Sequence, residues 1–464
     1  MNKTVIKNFF YAFGAQVVSL SASLLITFFA PALIGVKQFA YWQLFLTYVT
    51  YVNITRLGIN DGLYLRLGGK RYKDLDFDLL SHERQLYIGY QTIIALLFAI
   101  IVFASSTSSD RKFVLLSCAV CIIIVNANGY LIYILQAVNL TSIYSTSVVL
   151  QNLTWFIAAG IICFGKVYSY KVIIVMYICG HICASIYLMY HAKEIVRHKY
   201  VKISLVITDV KENIKCGIKL MIATYAGSLI VSSVRMIVDA SWGVEVFGVF
   251  SFSLTLSNVF LTFISQVSIV VFPALRRVQA NEQQKVYVML RNGLSLILPL
   301  VMEGYLPIVI IVHWFLPQYI DSLAFLPMFL PICIFDGKMQ MLCSSFFKSL
   351  RKENILLKIN VFTLGLSVIV ALLGSFIVNN INFVALGILG VVAFRSIISE
   401  LILAKCMDCV ICKDLVQEIL MVGLFVVGAI YLKPFVMFFV YTVIYIGYLV
   451  INKNKIKGLV SLKR

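Results

Sequence analysis

Fourteen apolar runs, each close to the length that crosses a hydrocarbon layer, follow one another along this chain. They lie at 11–35, 39–61, 86–104, 113–136, 143–164, 171–191, 217–238, 247–272, 290–314, 323–346, 355–378, 383–404, 416–432 and 434–451. A helix needs about 20 mainly apolar residues to cross a bilayer. In lipid, every backbone N–H and C=O must be satisfied within the protein, which leaves helices or closed barrels. Barrel strands alternate polar and apolar residues over about ten positions, and these runs are apolar throughout. The chain is therefore predicted to be an all-α polytopic membrane protein with about 14 transmembrane helices. Composition agrees: 61% of residues are hydrophobic and 13% charged, where a water-facing surface requires about 25% charged.

The formal net charge of +19 would point to nucleic acid in a soluble protein. Here the basic residues gather in the connections between spans, and no basic and aromatic stripe lies outside them, so no nucleic-acid partner is expected. With the N-terminus placed inside, about 27 Lys/Arg fall on the inner side, about 6 outside and about 6 within spans, as the positive-inside rule requires. The inner clusters are Arg66, Lys70, Arg71, Lys73 and Arg84; Lys193 to Lys215; Arg276 to Arg291; and the tail "KNKIKGLVSLKR". Both termini are expected to be cytoplasmic, with outer connections of no more than about a dozen residues. The opening "MNKTVIKNFF" and Ala30-Pro31-Ala32 imitate a signal peptide, but the apolar stretch is too long for one and further spans follow, which makes it a first transmembrane helix.

An internal repeat organises the spans. A shift of 208 residues lays "PALIGVKQFAYWQLFLTY" (31–48) on "DASWGVEVFGVFSFSLTL" (239–256), with Ala32/Ala240, Gly35/Gly243, Val36/Val244, Phe39/Phe247, Leu46/Leu254 and Thr47/Thr255 identical. The Gly-Val pair separates the first and second spans in one copy and the seventh and eighth in the other, so the repeat unit is six spans. Six is even, which predicts two parallel six-helix lobes plus two C-terminal helices. The expected domains are 1–200, 201–410 and 411–464, with the basic connection at 192–215 as the joint.

Charges inside spans carry the functional signal, because each costs at least about 2.5 kcal/mol at mid-helix and is usually turned to a protein interior or wet cavity. Lys219 and Lys358 lie near inner helix ends and can snorkel. Arg56 lies deeper in the second span, with Asp61 near its inner end. Arg235 and Asp239 stand at i, i+4 near the outer end of the seventh span, where they can pair. Glu303 in "LVMEGYLPIVIIVHWF", Asp336 and Lys338 in "PICIFDGKMQM", and Arg395 in "GVVAFRSIISE" lie several residues from either helix end. Pro299, Gly304, Pro307, Pro327 and Pro331 punctuate the same helices and free backbone carbonyls there.

Other signals are bland. Most of the 11 cysteines sit inside apolar runs as small hydrophobes. "CMDCVIC" at 406–412 has metal-like spacing but no fourth ligand nearby, so no metal site is assigned. His181 and His313 are isolated, and the 25 tyrosines suit interfacial belts. There is no Walker loop, so ATP is not the direct energy source and no cofactor is expected.

The chain resembles the bacterial polysaccharide (O-antigen type) flippases, of the superfamily that also holds the multidrug/toxin extrusion carriers. The resemblance rests on "FAPALIGVKQFAYWQLFLTYV", similar to that family's first hairpin; on "TRLGINDGLYLRLGG" at 55–69, similar to the exit from its second helix; and on "ISQVSIVVFPALRRV" at 264–278, similar to the exit from its eighth. It implies an alternating-access transporter of the bacterial plasma (inner) membrane whose cargo is an oligosaccharide on undecaprenyl pyrophosphate. It also implies membrane lipids, a polysaccharide polymerase and a chain-length regulator as partners, and a proton or sodium ion for coupling. A pyrophosphate needs cationic partners, and arginine binds it through directed hydrogen bonds. Arg56, Arg235, Lys338 and Arg395 are the expected substrate-binding cations, with Asp239, Glu303 and Asp336 for charge pairing or ion coupling.

Two other functions compete. A drug or cation antiporter of the same fold would want an exchangeable carboxylate early in the chain. The first span has none, which leaves Glu303 or Asp336 for that work. A membrane polysaccharide polymerase would want a large outer loop bearing arginine or histidine, and the outer connections here are short; the protein is not expected to be an enzyme.

Overall fold

A computed structural model describes residues 3–196, 201–275 and 282–461. Arg276, Arg277, residues 197–200 of the basic joint and the end of the basic tail lie outside the described residues. The chain forms two compact units, Met1–Ser232 and Ser233–Arg464, and every described element is helix or turn.

In the first unit, α1 (Lys3–Ile34) turns at Gly35 into α2 (Val36–Val52), followed by a 3-10 turn (Asn53–Arg56) and α3 (Ile59–Leu67). Then come α4 (Phe77–Ala104), α5 (Ser109–Ala137), α6 (Thr141–Phe164), α7 (Tyr170–His191), the single turn α8 (Lys193–Val196) and the opening stretch of α9 (Ile203–Leu275). The turns are short because capping side chains start the helices at once. Asp76 accepts from the Leu79 amide, Ser108 from Arg111 and Ser169 from Lys171. A core cluster packs Ile59, Leu63, Tyr87, Tyr130, Ile134 and Leu188, and Trp42, Phe45, Trp155 and Tyr177 form an aromatic cluster across α2, α6 and α7.

The second unit holds the rest of α9, then α10 (Gln283–Ile297), α11 (Tyr305–Phe315), α12 (Leu326–Phe329), α13 (Ile332–Lys338), α14 (Ser344–Ser349), α15 (Glu353–Leu372), α16 (Ile381–Cys406), α17 (Cys412–Tyr431), α18 (Pro434–Ile451) and α19 (Lys453–Ser461). Eleven helices among the described residues are long and apolar enough to cross a membrane. One of them, Ile203–Thr262, has 60 residues, enough for two traverses at about 1.5 Å per residue. With that helix counted twice and the apolar runs of α1 and α2 added, the fourteen spans read from the sequence each fall on helix. This is an all-α, multi-pass membrane protein.

The internal repeat is written in the backbone. Gly35 (φ 76°, ψ 169°) and Gly243 (φ 82°, ψ 175°) share one conformation, in a region that essentially only glycine enters. It breaks each first hairpin at the same aligned position, and Phe39 and Phe247 are both fully buried beyond it. The fourth span of each half is the enclosed one. In α5, 67% of the membrane window is buried, and in 326–349 the figure is 89%, against 17% for α18. Such enclosure is what permits Pro327, Pro331 and the π-turn Met339–Cys343 inside a span, since irregular backbone is tolerated where protein surrounds it.

Proline also explains three of the tyrosines. Pro299 has no N–H to give the Ser295 carbonyl, and Tyr448 donates to that oxygen at 3.0 Å instead. Tyr445 donates to Leu296 O at 2.8 Å and Tyr441 to Pro299 O at 3.0 Å. The three hydroxyls follow one face of α18 and fasten it to the proline break; in this helix the tyrosines are fasteners rather than an interfacial belt.

Candidate functional site: buried arginines held by asparagines

The second span does not run straight to 61. After α2 the chain tightens into the 3-10 turn, then takes two left-handed residues, Leu57 (φ 51°) and Gly58 (φ 81°), before α3 begins. The break is covered from both sides. The Val52 carbonyl accepts from Thr55 Oγ1 at 2.8 Å, and the Thr55 carbonyl accepts from Gln91 Nε2 at 3.0 Å. Glycines let the neighbouring helix close in. A Cβ on Gly62 would lie 2.0 Å from Asn213 O, and one on Gly217 would lie 2.0 Å from Gly58 O, so α3 and the start of α9 meet backbone to backbone.

This break aims Arg56 into the first unit, where it is 7% exposed. Its Nε donates to Asn126 Oδ1 at 2.7 Å and its Nη1 to Tyr225 Oη at 3.0 Å, with the Tyr133 ring 6.0 Å from the guanidinium carbon. Asn126 is itself fixed, donating to Thr55 Oγ1 at 2.8 Å and Gln91 Oε1 at 3.0 Å. Gly129 leaves room for the group, because a Cβ there would come within 3.2 Å of Nη2. Among the described residues no carboxylate pairs with Arg56. The hydrogen-bond acceptors of this buried cation are neutral, with the buried Asp61 carboxylate near the same Tyr133 and Tyr225, and its unpaired donors remain available for an anion.

The second unit repeats the motif with one change. Arg395 Nε donates to Asn360 Oδ1 at 2.8 Å, and its Nη1 pairs with Asp336 Oδ1 at 3.1 Å. Gln340 donates to the other Asp336 oxygen at 3.1 Å. The expected cation Arg395 and the expected carboxylate Asp336 are thus brought together, each partly or wholly buried.

Lys338 is not part of that group, and its surroundings correct the picture of a cation facing a cavity. It is 1% exposed. Its Nζ pairs with Glu400 Oε2 at 3.0 Å and with Glu418 Oε2. Glu400 also pairs with Arg291, Arg291 with Asp414, and Asp414 with Lys455 at 2.8 Å. Three cations and three carboxylates form a neutral buried chain across α10, α13, α16, α17 and α19. Such a chain tolerates burial because every charge has an opposite partner.

Three predicted residues remain: Arg235, Asp239 and Glu303. Arg235 Nε donates to Ser251 Oγ at 3.1 Å and its guanidinium lies 5.3 Å from the Phe247 ring centre, while Asp239 is 4% exposed. Glu303 is half-buried; Thr442 Oγ1 donates to its Oε2 at 3.3 Å, and its Oε1 has no hydrogen-bond partner among the described residues. Sequence reasoning missed Asn126, Asn360, Glu400 and Glu418. The readable signal was that Arg56 and Arg395 each required a fixed acceptor, which an amide inside an apolar run supplies.

No sequence-family profile and no curated protein matches the chain. Its fold is nevertheless similar to solved transporters. The inward-facing form of a multidrug resistance MATE family transporter of the MOP superfamily aligns with TM-score 0.60 and 12% identity, over 85% of this chain and 94% of that one. Its outward-facing counterpart aligns at 0.57 and 11%, over 88% and 96%. A MOP superfamily transporter from Pyrococcus furiosus, described as having a binding pocket of reverse polarity that suggests a different function, aligns at 0.58 and 12%, over 87% and 96%. At such identities the likeness establishes the fold.

Proposed function

We propose that this protein is an alternating-access carrier that moves an undecaprenyl-pyrophosphate-linked oligosaccharide from the cytoplasmic to the outer leaflet of a bacterial plasma membrane. The observation that carries the reading is Arg56: a buried guanidinium, oriented by Asn126 and Tyr225 and matched by no carboxylate among the described residues. A multidrug carrier for cations has no use for such a group, whereas a pyrophosphate does, because a guanidinium offers paired donors to phosphate oxygens. Arg395 and Arg235 are read as further anion contacts, Arg395 by exchanging Asp336 for phosphate. Lys338 is read as part of the charge chain. The fold supports transport in general, and the sequence motifs at 29–49, 55–69 and 264–278 supply the lipid carrier and the sugar. Both termini are read as cytoplasmic, and the protein as a transporter rather than an enzyme.

Deletion of the gene in its host is the test: lipid-linked repeat units should accumulate on the cytoplasmic leaflet, and surface glycan should be lost. Arg56→Lys, which keeps the charge but loses the fork, should fold and cut surface glycan at least about tenfold, equivalent to 1.4 kcal/mol. Normal glycan in that variant would remove Arg56 from the site.

A second reading, extrusion of a drug or cation, draws on Glu303. Its half-buried carboxylate, with Oε1 unpartnered among the described residues, has the character of an ion-coupling group, and the similar MATE structures are multidrug transporters. Altered drug susceptibility with normal surface glycan would favour it.

A further inference from the structure

Glu83 is a buried carboxylate that neither reading uses. It sits in the second turn of α4 and is fully enclosed, at 0% exposure. Asn213 Nδ2 donates to its Oε1 at 2.7 Å, while Oε2 has no hydrogen-bond partner among the described residues. No cation pairs with it there. The nearby cation, Arg66 on α3, is already committed: it pairs with Asp209 at 2.7 Å and Glu212 at 3.0 Å and donates to Asn213 Oδ1 at 2.6 Å. The same Asn213 amide that holds Glu83 also donates to Asp209 Oδ2 at 3.2 Å. Two carboxylates therefore share one amide nitrogen, and the nearby cation serves the other carboxylate.

The groups facing Glu83 leave its charge unmatched. From α9 comes Asp209, a second negative charge close enough to share a proton with Glu83; from α5, Tyr130, whose hydroxyl lies close to Glu83 while its proton goes to Leu80 O at 3.0 Å; from α3, Arg66. On α8, Glu194 accepts from Tyr72 at 3.1 Å. On α4 itself, Arg84 follows and is 9% exposed. A fully buried ionised carboxylate without a cation is costly, and the usual relief is to take up a proton. A sodium ion would need a cage of several oxygens, and the exchange of sodium for choline described below separates it from a proton.

We propose that Glu83 is the proton-binding site of the first unit: it holds a proton on Oε2 while Asn213 holds Oε1. When the O–H bond breaks, the proton leaves to water and the electron pair stays on the carboxylate. The new charge then competes with Asp209 for the Asn213 amide and for Arg66. Asp209 and Asn213 belong to α9, the helix that carries the chain onward past Ser232. Proton loss at Glu83 thus acts on that helix and couples a proton gradient to carrier movement. The coupling rests on the reading of the protein as a carrier; the proton site does not.

Infrared spectra of the full chain in lipid nanodiscs, recorded against pH, test the site. A protonated-carboxyl carbonyl band present at neutral pH should lose a component in Glu83→Gln, a near-isosteric change, and keep it in Glu303→Gln. In Asp209→Asn, which removes the competing charge, that component should vanish at a lower pH than in the parent. Persistence of the component in Glu83→Gln, or its disappearance when sodium replaces choline at fixed pH, would overturn the proposal. In proteoliposomes, Glu83→Gln should lose gradient-driven movement of lipid-linked glycan while keeping exchange without a gradient; loss of both would leave Glu83 a structural role only. If the parent moves no such glycan yet the band behaves as stated, the proton site stands and the carrier reading falls.

Discussion

Replacing Lys338 by methionine keeps its length and apolar stem and removes its charge. Among the described residues, Glu418 Oε2 takes its hydrogen bond from Lys338, and Glu418 Oε1 has none. Glu400 keeps Arg291. The cost of Lys338→Met is therefore an uncompensated buried carboxylate at Glu418, 2% exposed, which is worth about 3–5 kcal/mol. For a unit of this size about 1 kcal/mol shifts the melting temperature by 2–4 °C, so a fall of roughly 6–20 °C is expected. Adding Glu418→Leu removes the stranded charge, and the double variant should regain most of the loss. Cys333 and Cys343, both fully buried in the second unit, serve as reporters: their reaction with a thiol-specific fluorophore on heating in detergent marks unfolding, once the other nine of the 11 cysteines are replaced by alanine. A Lys338→Met protein that melts with its parent, or a double variant no better than the single, would show that the charge chain does not hold the fold and would return Lys338 to the substrate.

Gly62→Ala or Gly217→Ala must push apart a pair of backbones, one of which lies within 2.0 Å of the added carbon. Each should cost about 3 kcal/mol or more and abolish the monodisperse peak in gel filtration, while Gly89→Ala, with nothing within 4 Å, should leave it intact. Gly35→Ala and Gly243→Ala meet no neighbour but force the same strained backbone; each should cost about 1–3 kcal/mol, with matching drops in thermal stability.

Much of the fold was legible because lipid simplifies the rules. A run of apolar residues in a bilayer has few alternatives to helix, so the spans and the Gly-Val repeat could be read directly, down to Gly35 and Gly243. Arg56, Asp336 and Arg395 also stood out, since a charge in an apolar run is conspicuous. Their partners did not. Asn126 and Asn360 barely disturb hydropathy, and Glu400 and Glu418 sit near helix ends, where a carboxylate looks solvated. Lys338 meets them across 62 and 80 positions of sequence, a pairing set only by how α13, α16 and α17 pack. The break at Leu57 and Gly58 was hidden for a similar reason: its stray carbonyls are satisfied by the side chains of Gln91 and Thr55, neither of which marks a helix end in sequence.

The buried charge chain makes the second unit depend on its last helices. Asp414, Glu418 and Lys455 all follow residue 411, while Arg291, Lys338 and Glu400 precede it. Without the helices after residue 411, the earlier three alone would carry one surplus positive charge in oil. A shortened gene product is therefore a poor substitute for the whole.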